Sequence, residues 1–151
     1  MLRDAYPFLV ALLVCALISF SLGYFFAPAF YFLTGLFILL AAFIAYFFRN
    51  PDRVVPDDPR LVLSPADGRV AVVRPLDSKN PAAGTFVSIF LSVFDVHVNR
   101  TPIAGRIIEI TYQKGKFLNA LNHLSSTENE QNIVTVENDL LRVTFAQIAG
   151  V

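Results

Sequence analysis

Asp95 and His97 stand two residues apart in FLSVFDVHVNRTPIAG, a stretch that is apolar around them. A carboxylate beside an imidazole is a general acid/base arrangement, because the imidazole exchanges protons near neutral pH and the carboxylate fixes its tautomer. In an extended segment residues i and i+2 face the same side, so the spacing predicts adjacent side chains, serving either buried polar structure or chemistry. A further carboxylate, Asp67, lies in SPADG. Taken alone, Pro-x-Asp-Gly is common turn chemistry. A lone histidine, likewise, is more often a hydrogen-bonded structural residue than a catalyst. His97 and His123 are far apart and Cys15 is the one cysteine, so metal-ligand spacing is absent and an intrachain disulfide is excluded. No phosphate-binding glycine loop occurs either.

The elements that would position these groups divide sharply by composition. From Ala5 to Phe48 the chain has no Asp, Glu, Lys, Arg or His. As helix this stretch would run roughly 66 Å, about twice the thickness of a bilayer's hydrocarbon core, so two spans fit where one does not. Gly23, Pro28 and the aromatic residues of LGYFFAPAFY mark the break, which predicts helices near residues 5–25 and 29–48. A secretory signal peptide has a much shorter apolar region and fits poorly. Arg3 precedes the pair, Arg49 and Arg53 follow it, and the loop between is uncharged, which predicts both ends on the cytoplasmic side of the cell membrane. Cys15, inside the first span, is expected to serve packing.

After Phe48 the segment RNPDRVVPDDPR reads as an extended juxtamembrane linker over residues 49–60, followed by one small domain over 61–151. That domain reads as mainly strand. LVLSPADGRVAVVRPL is expected as two strands joined at Pro65–Gly68, with Gly68 accepting positive φ. GTFVSIFLSV, apolar on both faces, is expected as a central strand. GRIIEITYQKG alternates, placing Ile108, Ile110 and Tyr112 opposite Ile107, Glu109 and Thr111. NIVTVENDLLRVTFAQIAG reads as a hairpin turning at Asn138-Asp139 with Leu141, Val143 and Phe145 inward. KFLNALNHLSS is expected as one short helix with His123 on its surface, and STENEQN as a polar loop or a helix start capped by Ser126 or Thr127. Lys114 and Lys116 are expected as solvated charges or contacts to anionic head groups. The fold class is therefore mainly β, a β-sandwich-like domain behind a two-helix transmembrane hairpin.

The strings FFRNPDR, LSPADGRV, SIFLSVFDVHVNRTPIAG, GKF, ENEQN and AQIAG, in this order and at close to these separations, resemble the short, membrane-anchored phosphatidylserine decarboxylases. The resemblance runs from about Phe47 to the last residue, and six strings in register make it specific. It implies a proenzyme that cuts itself at a Gly-Ser bond and converts the serine to a pyruvoyl group on a small C-terminal subunit. The pyruvoyl carbonyl takes up the amine of phosphatidylserine as a Schiff base, carbon dioxide leaves, and a proton donor completes phosphatidylethanolamine. By the same resemblance His97 is the acid/base residue, Asp67 helps activate the serine, and Asp95 or Asp67 orients His97. The pyruvoyl group is the one cofactor implied and no metal is. The partners implied are the phospholipid, the membrane and the small subunit; nucleic acid is not expected, and homo-oligomerisation is left open.

Two departures qualify the transfer. Where many longer relatives have a second histidine, this chain has Arg100, whose guanidinium fork would suit a substrate carboxylate or phosphate. Its seven glycines precede Tyr, Leu, Arg, Thr, Arg, Lys and Val, so no Gly-Ser dipeptide occurs. The expectation is a portion of a decarboxylase proenzyme that acts with a serine-bearing remainder. The competing expectation is a catalytically silent, membrane-anchored module that binds lipid or a partner. A lipoyl- or biotinyl-type carrier is weak, since no lysine marks a hairpin tip.

Overall fold

The computed structural model describes residues 1–120, 122 and 124–150. Contacts divide them into two units, one of Met1–Arg53 with Ala66–Val98, the other of Val54–Pro65 with the chain from Asn99 onward.

The first unit opens with α1 (Tyr6–Phe25) and α2 (Phe30–Phe47). Both are long and apolar enough to cross a membrane. Their contact is built from small residues: Ala16, Ser19 and Gly23 are buried on α1, and Thr34 and Ala41 on α2. Small side chains let two helix backbones approach closely where no water drives them together. At Gly23 the Tyr31 ring fills the place a side chain would take, with Tyr31 Cε1 2.8 Å from where a Cβ would stand. Ser21 and Thr34 donate their hydroxyls to the carbonyls of Leu17 and Phe30, so neither polar group is left unmet on an apolar helix. Large apolar side chains such as Phe8, Leu17, Phe32 and Leu39 point outward. Cys15 is exposed as well, where packing was expected.

The same unit carries β1 (Arg69–Pro75) and β2 (Thr85–Phe90), an antiparallel pair with a bulge between Val70 and Val72. Two sequence expectations change here. Residues 61–64 are not a strand, since Leu63 spends its amide on the Pro102 carbonyl at 2.8 Å. β2 is one of only two strands in its sheet rather than a central one. Gly68 is required for a reason other than φ, because Gly84 is the positive-φ glycine among the described residues. A Cβ on Gly68 would collide with the Phe90 carbonyl oxygen, so the glycine permits the close approach that opens the β1–β2 ladder.

The second unit is a three-stranded antiparallel sheet in the order β3 (Arg106–Gln113), β4 (Gln131–Glu137), β5 (Arg142–Ile148). Its core gathers Ile103, Val134 and Val136, with Leu141, Val143 and Phe145 packed against them, the inward set expected from the alternation. The β4–β5 turn lies at Asn138–Leu141. Asn138 Oδ1 accepts the amides of Leu140 and Leu141 at 2.9 and 2.8 Å, and Asn138 Nδ2 donates to the Ala104 carbonyl. On β3 the strict alternation fails, because a bulge between Ile107 and Glu109 gives Ile108 no opposite number. β3 is an edge strand, and every residue on it is exposed, including Ile107, Ile110 and Tyr112.

A hydrogen bond to Glu130, helped by partial desolvation and the Glu130 charge, holds the Tyr112 phenol above its ordinary value. The folded state thus favours the neutral phenol, so this contribution is complete below the unfolded value of about 10 and is lost as pH rises through the folded one. Tyr112→Phe is expected to flatten the loss of stability between about pH 9 and about pH 11, read from urea midpoints at the two ends.

Among the described residues of KFLNALNHLSS, 116–120 form no helix, and the helical turn found is α3, four residues long, Ser125–Glu128. Residues 116–118 are instead drawn alongside Asn129. Lys116 exchanges backbone hydrogen bonds with Glu128 and Glu130, and its ammonium pairs with Glu128 at 2.7 Å. Neither Ser126 nor Thr127 caps α3, whose N-cap is Leu124; Thr127 donates its hydroxyl to the Leu124 carbonyl. His123 lies outside the described residues.

Candidate functional site

Hydrogen bonds and ring contacts place the candidate groups of the first unit. The segment after β2 does not continue as strand, because Ser92 and Asp95 close a turn: the Asp95 amide donates to the Ser92 carbonyl at 2.9 Å, and the Asp95 carboxylate accepts the Ser92 amide at 2.8 Å. Short polar side chains compete in this way with strand pairing. The extended D-x-H expected from spacing is thereby replaced by a turn followed by an irregular segment.

His97 follows the turn, half-buried, with Nδ1 3.1 Å from the Asp95 backbone carbonyl oxygen. A carbonyl can only accept, so Nδ1 carries the proton in the neutral ring and Nε2 is the basic nitrogen. Asp95 therefore meets His97 through its main chain, while its carboxylate secures the turn. One face of the imidazole lies on the ring of Phe47, 4.2 Å between centroids and 29° between planes. The same loop is held at the Phe94 carbonyl, which accepts the Tyr46 hydroxyl at 3.1 Å and Arg49 Nη2 at 2.7 Å.

Asp67 sits in the bend before β1 with its side chain 31% exposed. Arg53 approaches it as a fork, Nη2 to Oδ2 at 2.7 Å and Nε to Oδ1 at 3.3 Å. The two parallel bonds fix the plane of the carboxylate as well as its charge. The bond to Asp67 likewise holds the Arg53 guanidinium above its ordinary value. A cleft of about 410 Å³ is lined by Asp67, Gly68, Arg69, Phe90, Ser92 and Asp95. It brings the two sequence-selected carboxylates to one concavity and adds a cation, Arg69, that spacing did not single out. Carboxylates and a guanidinium in one cleft match a zwitterionic ligand bearing an ammonium and an anionic oxygen.

Arg100 belongs to the second unit, where its amide donates to the Pro65 carbonyl at 2.9 Å. Among the described residues no three His, Cys, Asp or Glu side chains gather as metal ligands.

Sequence reasoning missed four residues. Phe47 read as the end of an apolar span, and Arg49 and Arg53 as flanking linker charges; nothing in local spacing ties them to residues more than ten positions away. Asn129, in the second unit, was one letter of a polar loop. It is fully buried, donates through Nδ2 to the carbonyls of Leu118 and Ala149 at 2.8 and 2.7 Å, and accepts the Leu118 amide at 2.8 Å. An asparagine inside ENEQN was the available signal.

Comparison with known proteins agrees with these motifs. A model of the phosphatidylserine decarboxylase family matches residues 40–151. The phosphatidylserine decarboxylase proenzyme of Solibacter usitatus is 54% identical over 113 residues, covering 75% of this chain and 52% of that protein. Those of Wolbachia pipientis wMel and Carboxydothermus hydrogenoformans are each 41% identical, over 98% and 99% of this chain and 64% and 68% of their own lengths. The chain thus spans about half to two thirds of the length of these relatives.

Proposed function

Because this chain belongs to the phosphatidylserine decarboxylase family, we propose that it supplies the aspartate- and histidine-bearing part of an enzyme converting phosphatidylserine to phosphatidylethanolamine. The observation that carries the reading is His97 with Nδ1 committed to a carbonyl, which makes Nε2 the proton-transferring atom, in the motif that places this chain in the family.

The relatives are named proenzymes, so a processed form with a second subunit follows for them, and the pyruvoyl group comes to this chain as part of the proposal. The residues present fit such a group. A cleft of about 410 Å³ with Asp67, Asp95 and Arg69 on its walls offers acceptors for an amine and a donor for a small carbonyl. When bound, a pyruvoyl group supplies a sink for the electron pair left when carbon dioxide departs. The chain's own residues do the rest. Asp67 and Asp95 face the positive head-group nitrogen, and Arg69 an anionic oxygen. His97 Nε2 takes a proton released by the head-group ammonium and, as the imidazolium, delivers it to the carbon that lost its carboxylate. Asp67, with its plane fixed by Arg53, accepts a proton during serine activation. Arg100 is proposed as a holder of the substrate carboxylate or phosphate on the strength of its guanidinium.

The apolar helices α1 and α2 would hold this chemistry at head-group depth, confining the search for a lipid to two dimensions. Arg3, Arg49 and Arg53 flank the pair and an uncharged turn joins it, which favours the cytoplasmic side for the rest of the chain. Each of the two small antiparallel sheets, taken by itself, fits the mainly β character expected from the sequence.

The test uses the full-length gene product in vesicles of phosphatidylserine labelled at the serine carboxyl carbon. Release of labelled carbon dioxide with appearance of phosphatidylethanolamine is expected. Lipid binding by fully processed protein without release would instead favour the silent lipid-binding module.

A further inference from the structure

The end of α2 and the residues just after it contact the candidate groups of the first unit at three separate places. The Phe47 ring stacks on His97. The Tyr46 hydroxyl and Arg49 guanidinium converge on the Phe94 carbonyl, in the turn that presents His97, and Arg49 is itself fixed by a bond to the Tyr46 carbonyl at 2.9 Å and by lying 3.8 Å over the Tyr46 ring. Arg53 forks onto Asp67. A membrane tether alone requires none of these contacts, and a flexible linker would serve it better.

We infer that the segment Tyr46–Arg53 is a positioning part of the site, with Phe47 setting the plane of the His97 ring and Arg53 the plane of the Asp67 carboxylate. The inference rests on the decarboxylase reading for its consequence and on geometry for its content. The single hydrogen bond from Nδ1 to the Asp95 carbonyl tolerates some turning of the ring about its Cβ–Cγ bond. A flat aromatic surface on one face removes that freedom, so Nε2 points in one direction. The second apolar helix would then anchor the protein and hold its acid/base residue with the same turn of chain.

The experiment pairs Phe47→Leu, which keeps apolar bulk and removes the flat face, with Phe47→Tyr, which keeps the ring. Both are made in the full-length product and assayed on a water-soluble, short-chain phosphatidylserine, for which tethering is irrelevant. Phe47→Leu is expected to lower kcat ten- to a hundredfold with KM unchanged, and Phe47→Tyr to retain most of it. The ring protons of His97, identified by loss of their signal in His97→Gln, are expected to carry a ring-current shift that Phe47→Leu abolishes. Arg49→Met, which removes the three guanidinium contacts to Tyr46 and Phe94, is a second route to the same loosening and guards against a Phe47 variant that does not fold. Unchanged kcat and an unchanged His97 signal in Phe47→Leu would overturn the inference. If His97→Gln itself retained full activity, the catalytic reading would fail, while the ring-current shift would still decide whether Phe47 orients the ring.

Discussion

His97→Gln is expected to slow decarboxylation by the full-length protein by about 10²- to 10⁴-fold, the range a positioned acid/base group contributes. Glutamine can reproduce the donor that His97 Nδ1 offers the Asp95 carbonyl at 3.1 Å. It also lies flat enough to rest on Phe47. It has no nitrogen that takes up and releases a proton near neutral pH, so the substitution isolates proton transfer from packing. Substrate affinity is expected to change little if, as proposed, the head group is met by the cleft of Asp67, Arg69 and Asp95 rather than by the imidazole. The measurement is single-turnover release of carbon dioxide from protein already processed, with self-cleavage followed separately on a gel. A decrease below tenfold would remove His97 from the proton transfer.

How much of this was readable beforehand depended on the range over which the determining contacts act. The β4–β5 hairpin was legible because its turn chemistry and alternation lie within twenty residues, and Asn138 closes it on its own neighbours. The two apolar helices were legible because their length and lack of charge are local facts. Asp67, Asp95 and His97 were also singled out by their types and motifs. Their arrangement was not legible, since Ser92 and Asp95 spend hydrogen bonds on each other to make a turn where alternation suggested a strand. Nor could spacing show that the last residues of an apolar span would lie against His97. Over residues 116–118 the expected helix does not form for a related reason: their partner is Asn129, beyond the window any local propensity samples.

Asn129→Ala is expected to destabilise the second unit by about 3 kcal/mol, since it takes from the Leu118 amide, the Leu118 carbonyl and the Ala149 carbonyl their partner on a fully buried side chain, at about 1–3 kcal/mol each before relaxation. Asn129→Asp is the sharper variant, because it is isosteric. Its carboxylate can still accept from Leu118 but faces two carbonyls that need donors, and it places a charge at a fully buried position. It is expected to be at least as damaging as alanine near neutral pH and partly restored on acidification, when a protonated acid can donate once. Denaturant midpoints of the two variants at two pH values, followed by a probe on β4 or β5, measure this. A loss under about 1 kcal/mol for alanine would mean that the three backbone groups find other partners.

The route by which the second unit assembles follows from the spacing of its strands. β4 and β5 are joined across Asn138–Leu141, so their pairing closes a minimal loop and belongs to the microsecond class of events. β3 pairs with β4 from Gln113 to Gln131, across the whole segment that contains α3, and must bear a larger entropic cost of closure. Asn129 is complete only when Leu118 and Ala149 have both arrived, one from each side of β4. The hairpin is thus the natural nucleus, and the asparagine is a late latch that registers the docking of β3. Substitutions in the Asn138 turn should chiefly slow folding, whereas those at Asn129 should chiefly speed unfolding.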